Sequence, residues 1–177
     1  MPRGSAKSAK QPAVAKRPRG RPLEVGAELL EGFDRACSAT ELLVGAVPAH
    51  AWLAPPPDNH GRTIAGIVAH MQSIRRTFAK MGGATDLTPL DRLKSTPADA
   101  VRALQESHAA LLQQFGSALE NNRARVPGMP RRTIDMLLYL VQHDAHHRGQ
   151  ITRQLGALGV PLAADHVMRI WGWKKSA

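Results

Sequence analysis

Three histidines have the spacing of a metal site. His143 and His147 are four residues apart in a segment with helical periodicity, so their side chains would lie on one helix face. At about 100° per residue, His147 falls inside the apolar stripe of that helix, His143 at its edge and His146 on the polar side. His70 lies at the edge of an earlier apolar stripe. Imidazole nitrogen suits zinc, nickel, copper or iron(II), so facing helices could hold one divalent ion here.

Other interpretations of these histidines stay open. Pairs at i, i+4 also occur on exposed helix surfaces, and a single histidine such as His70 can be a hydrogen-bonded core residue. The segment from His143 to His147 resembles the metalloprotease pattern HExxH, with Asp144 in place of Glu and His166 as a third ligand. The shorter acid and the lack of a suitably placed Glu argue against a protease, so we favour His70, His143 and His147.

Asp144 falls in the middle of the apolar face of its helix, where an unpaired carboxylate would be costly. Arg148 follows four residues later, and an i, i+4 ion pair would satisfy both side chains. We therefore expect Asp144 and Arg148 to support the metal ligands as a structural pair, in preference to Asp144 acting as a base.

Four amphipathic segments would position these residues. They run over about 23–46, 64–81, 97–120 and 133–158, with Thr63, Thr96 and Thr133 as N-caps. Residues 48–62 contain three consecutive prolines and are predicted to be a connection. Residues after Gly159 are predicted to pack a short element across the bundle. With no strand pattern, residues 23–177 are predicted to form an all-α helical bundle with an extra C-terminal element.

The net charge of +10 is concentrated in the first 22 residues, which contain seven cations and no acid. The rest of the chain has 17 cations and 14 anions, so the folded part offers little support for DNA binding. We expect residues 1–22 to be disordered. One segment of this tail resembles an AT-hook, a short basic motif that binds in the narrow minor groove of A·T-rich DNA. The residues that carry the resemblance are Arg17, Arg19, Gly20, Arg21 and Pro22. One hook would bind A·T-rich DNA only weakly, and the tail could equally be a solvated extension.

Cysteine usage and hydropathy predict a cytoplasmic protein. Cys37 is the only cysteine, which excludes a disulfide framework, and its place on an apolar stripe predicts a core residue. No apolar run reaches the roughly 18 residues of a membrane span, and no apolar segment follows the basic N-terminus as in a secretory signal.

Two segments resemble the DinB/YfiT-like superfamily. They are Gly61-Arg62-Thr63 followed by Val68-Ala69-His70, and the run from Leu140 to Ile151, where the pattern HxxxHRGQ is the most specific part. The resemblance covers residues 23–162. It implies an antiparallel four-helix bundle, often a homodimer, with His70, His143 and His147 as metal ligands. Some relatives are transferases or isomerases that use mycothiol or bacillithiol, and many have no known substrate.

We therefore predict a metal-dependent enzyme acting on a small molecule. Zinc, nickel or iron would leave open coordination positions that activate a water or a low-molecular-weight thiol. The alternatives are a DNA-associated protein that uses the tail, or a metal-binding bundle without catalysis. The absence of a catalytic base would favour the non-catalytic protein.

Overall fold

The computed structural model describes residues 23–57 and 59–172, which form six helices and no strand. In chain order the helices are α1 (Val25–Gly45), α2 (Ala49–Trp52), α3 (Ile64–Met81), α4 (Pro97–Glu120), α5 (Thr133–Ala157) and α6 (Ala164–Ile170). The all-α prediction is confirmed, while the antiparallel order of the long helices stays a prediction. Within the described ranges, no helix is long and apolar enough to cross a membrane. The tail with its AT-hook-like residues, Arg17 to Pro22, lies outside these ranges.

Two of the three predicted threonine caps are present. The Thr63 hydroxyl accepts a hydrogen bond from the Gly66 N–H at 3.1 Å, and Thr96 forms a reciprocal capping box with Asp99. Thr133 is instead the first residue of α5, so its predicted role as a cap is wrong. Its hydroxyl donates to the Arg123 carbonyl at 3.3 Å, which ties the preceding loop to the start of the helix.

The connection over residues 48–62 contains the one-turn helix α2, which the sequence analysis did not predict. Trp52 in this turn is buried, and its indole N–H donates to the Ser95 carbonyl at 2.6 Å. A single turn is too short to show helical periodicity, so the sequence pattern held no signal for it. At the other end of the chain, α6 is the predicted short C-terminal element, and it packs against α1.

The aliphatic core forms two clusters separated by buried polar side chains. Each cluster contains residues from all four long helices. The first includes Leu43, Val68, Leu104 and Ile151, and the second includes Phe33, Ala79, Leu111 and Leu140. The polar layer lies between these clusters along each helix, and we define it by Thr40, Glu41, Arg75, His108 and Asp144.

Polar contacts within the polar layer link all four long helices. The fully buried Arg75 of α3 donates through Nε to Asp144 Oδ2 of α5 at 3.0 Å, and through Nη2 to the same oxygen. Its Nη1 lies 3.9 Å from Glu41 Oε1 on α1. Glu41 in turn lies 2.9 Å from His108 Nδ1 on α4. The layer therefore joins the four helices through polar side chains, of which the ions Arg75 and Asp144 are removed from water.

We predict that Arg75→Met lowers the free energy of unfolding by about 3–5 kcal/mol, because Asp144 would stay buried without its cation. Arg35→Met is the matched control, since Arg35 forms an exposed pair with Glu31 on α1. That change should cost at most about 1 kcal/mol. Urea denaturation of both variants measures the two changes in the free energy of unfolding. Equal changes would show that the buried pair contributes no more to stability than the exposed one.

Candidate metal centre

The three predicted histidines lie together beside the polar layer. His70 of α3 faces His143 and His147 of α5, and the ligand atoms of the three rings all lie within 4.8 Å of one another. The Nε2 atoms of His70 and His143 are 3.3 Å apart. His147 is buried, and the other two are partly exposed, so the cluster lies at the edge of the core.

The local sequence of α5 orients His147. Its Nδ1 lies 2.7 Å from Oε1 of Gln150, so the proton on this imidazole is placed at Nδ1 and the lone pair at Nε2. The same amide donates through Nε2 to Nε2 of His146 at 3.0 Å. Both the oxygen and the nitrogen of the Gln150 amide are therefore hydrogen-bonded. This fixes the orientation of the His147 ring, whose Nε2 lone pair is left for a metal ion.

The polar layer orients His143 in the same way. Asp144 Oδ1 lies 3.5 Å from His143 Nδ1, and the carboxylate favours a proton on that nitrogen. The Nε2 lone pair is then directed at His70. Because Arg75 holds the other carboxylate oxygen, the ion pair in the core also sets the orientation of a ring at its edge.

Asp144 pairs with Arg75 and not, as predicted, with Arg148. Arg148 turns toward α1, where its Nη1 donates to the Ala36 carbonyl at 3.1 Å and to Thr40 Oγ1 at 3.0 Å. The Thr40 hydroxyl also lies 3.5 Å from Asp144 Oδ2, so it links Asp144 to Arg148. The predicted structural role of Asp144 is retained, but its cation comes from another helix.

The electrostatic environment favours the neutral form of His70 and His147 and the charged form of Asp144. Burial lowers the pKa of His70 and of His147, and repulsion from His143 lowers both further. Burial alone would raise the pKa of Asp144, but the Arg75 guanidinium holds it below its usual range. Neutral imidazole is the form that binds a metal, so these directions favour metal binding near neutral pH.

The spacing of the ring nitrogens fits a shared ion. With zinc–nitrogen bonds of about 2.0–2.1 Å, two ligands of one tetrahedral ion lie about 3.3–3.4 Å apart. The Nε2 atoms of His70 and His143 have this separation, at 3.3 Å. Two lone pairs at such a distance repel each other unless a proton or a cation lies between them. Three neutral donors also leave further coordination positions open.

The other candidate residues lie outside this cluster. His146 is exposed on α5, and His166 belongs to α6, so the protease-like ligand set is not brought together. Cys37 is buried in the core as expected, and burial raises the pKa of its thiol to about 12. A thiol in that environment stays protonated and is not a nucleophile.

Sequence reasoning missed two residues that support the site. Gln150 stands in the run HRGQ, but its contact with His147 depends on the rotamers of both side chains. Arg75 falls at about 140° from His70 on the helical wheel, beside the apolar stripe of α3. An arginine beside an apolar stripe indicates that a buried acid pairs with it, but the sequence does not show which acid this is.

Comparison with known proteins identifies the family of this chain. Residues 21–174 match the DinB family, a range that includes α3 and α5 with all three histidines. Among curated proteins, none matches the chain. Because the family match extends over most of the sequence, the chain belongs to the DinB family.

Proposed function

We propose that this DinB family protein is a metal-dependent enzyme that binds one divalent ion through His70, His143 and His147. The main support is the convergence of three imidazoles from two helices, with ligand atoms within 4.8 Å of one another. The hydrogen bonds of Gln150 and Asp144 add to this support, because they leave Nε2 of His147 and of His143 free to bind.

The ligand set is suited to zinc, nickel or iron(II). When bound, such an ion supplies Lewis-acid chemistry, and it lowers the pKa of a water or thiol that occupies an open position. The histidines hold the ion, while Gln150 and Asp144 keep two of the rings in the productive tautomer. The partial exposure of His70 and His143 leaves room for a small-molecule substrate to approach.

One feature favours a thiol over a water as the activated group. Asp144 is engaged by Arg75, so it is not free to act as the general base of a hydrolase. Three neutral ligands leave the charge of the ion uncompensated, which favours an anionic ligand, a thiolate as well as a hydroxide. Cys37 cannot supply that sulfur, because it is buried with a pKa of about 12. The thiol would therefore be a low-molecular-weight co-substrate, as in an S-transferase or a thiol-dependent isomerase.

The partners expected from the sequence belong to this proposal as well. They are a second copy of the chain in a homodimer, and weak contact of the tail with A·T-rich DNA. A bundle that binds metal without catalysis is the competing function. It would share the histidine cluster, and a loaded site that gives no response to thiols would favour it.

We predict that His70→Ala, His143→Ala and His147→Ala each strongly lower the metal content of the purified protein, because each removes one of three ligands. His146→Ala is the control, since it changes an exposed histidine of the same helix that lies outside the cluster. Elemental analysis measures the content, and circular dichroism checks that the helices are intact. Full retention in His70→Ala with loss in His166→Ala would favour the protease-like site instead.

A second prediction concerns Gln150. Its replacement by Leu should weaken metal binding by about 10–100-fold, because Nδ1 of His147 loses its acceptor and the ring its fixed orientation. Gln142→Leu makes the same change at an exposed position of α5 and should leave affinity unaltered. Competition with a chromogenic chelator gives both affinities. Equal affinities in the two variants would contradict the orienting role of Gln150.

A third prediction tests the thiol. Adding 2-mercaptoethanol to the cobalt(II)-loaded protein should produce a sulfur-to-metal charge-transfer band, whereas ethylene glycol should not. Lowering the pH through the imidazole range should abolish the band, since protonated histidines release the metal. The pKa values of His70 and His147 are lowered, so the loss should occur below the ordinary histidine value of about 6.5. A fully loaded site with no spectral response would refute the thiol-dependent function.

A further inference from the structure

A second potential site lies on the opposite side of α5 from the histidines. Because α6 packs against α1, a cavity of about 600 Å³ remains between α6 and α5. We call it the α5–α6 groove, and small or aliphatic residues dominate its lining: Leu43, Ala145, Gly149, Gly156, Leu162 and Val167. Ala145 lies about 200° from His143 on the helical wheel, so the groove and the metal centre do not share a face.

A charged cavity adjoins this groove. The arginine pocket, about 440 Å³ between α1 and α6, is lined by Arg35, Arg148, Arg169 and Asp34. Arg148, Ile170 and Trp171 line both cavities, so the two are adjacent at the end of α6. The apolar groove thus has cationic side chains beside one end.

The charges of the arginine pocket are unevenly compensated. Arg35 pairs with Glu31, and Asp34 lies 3.1 Å from His108 Nε2. Nε of Arg169 is buried and has no hydrogen-bond partner. A buried guanidinium N–H without an acceptor is unfavourable, so a bound anion would stabilise it.

Arg148 adds to this demand for an anion. Its Nη1 donates to a main-chain carbonyl and to the Thr40 hydroxyl, and neither of these acceptors carries a charge. Burial lowers the pKa of Arg148, which reflects the loss of water around its cation, and the charge of Asp144 offsets this only in part. A planar carboxylate can accept two parallel hydrogen bonds from a guanidinium, and its single charge and small size suit an otherwise apolar groove.

We propose that the α5–α6 groove and the arginine pocket form a binding site for an aliphatic carboxylate. The hydrocarbon chain lies in the groove, and the carboxylate is held by Arg148 and Arg169. The groove has the volume of ordinary small-molecule sites, about 300–1,000 Å³. The site is separate from the metal centre, and its existence does not depend on the proposed enzymatic function.

The experiment uses octanoate as the probe and octanol as its uncharged analogue. Trp171 lines both cavities and is 69% exposed, so its fluorescence should respond when the chain enters the groove. Titration calorimetry should show saturable binding of octanoate and at least tenfold weaker binding of octanol. Trp171→Phe should remove the fluorescence change but not the heat of octanoate binding.

Two variants with matched controls locate the probe. A Cβ added at Gly156 meets no atom within 4 Å, so Gly156→Leu fills the groove without strain and should abolish binding. Gly32→Leu makes the same change at an equally open helical position outside both cavities. Arg169→Gln should weaken octanoate, but not octanol, by about tenfold or more. Arg153→Gln, at an exposed arginine of α5, should have no effect.

Several outcomes would overturn the proposal. The proposal is wrong if the unmodified protein does not bind octanoate. It is also wrong if neither Gly156→Leu nor Arg169→Gln changes the binding. Binding that appears only after removal of residues 173–177 would show that the chain's own C-terminal segment fills the groove. A change of oligomeric state in Gly156→Leu, seen by sedimentation without octanoate binding, would make the groove a subunit interface. Metal content should be the same in all variants, so failure here is distinguishable from failure of the metal centre.

Discussion

The ion pair between Arg75 and Asp144 is the interaction on which the rest of this structure depends. Removing two ions from water costs several kcal/mol per ion, and the cost is offset only when each ion has a partner at hydrogen-bonding distance. Here one guanidinium meets Asp144 on α5 and approaches Glu41 on α1, all within the core. The pair therefore requires α3 and α5 to lie side by side in one register.

That register determines where the histidines meet. His70 lies five positions before Arg75 on α3, and His143 is the neighbour of Asp144 on α5. A shift of one helix by a turn would move it about 5.4 Å and separate both the ion pair and the facing rings. The aliphatic clusters on either side of the polar layer would tolerate such a shift better, since apolar packing is not directional. The polar layer thus supplies the positional specificity that the apolar clusters lack.

The sequence was sufficient for what depends on local periodicity. The long helices, and the shared face of His143 and His147, follow from residues within two or three turns of one another. The partner of Asp144 did not follow, because Arg75 is 69 positions away and Arg148 offered a nearer cation. The α5–α6 groove was equally out of reach, since it depends on how α6 docks against α1. Both features depend on contacts between residues far apart in the chain, and the sequence pattern of single helices does not contain that information.

The distance along the chain between the two partners also affects how the protein folds. Arg75 and Asp144 are 69 positions apart, and they can meet only after the chain between them, α4 included, has closed into a loop. Until then both ions stay hydrated, although the individual helices can already be present. A molten bundle with native helix content would therefore not bring the three imidazoles together. The assembled cluster is the signature of the finished tertiary structure, and helix content alone cannot report it.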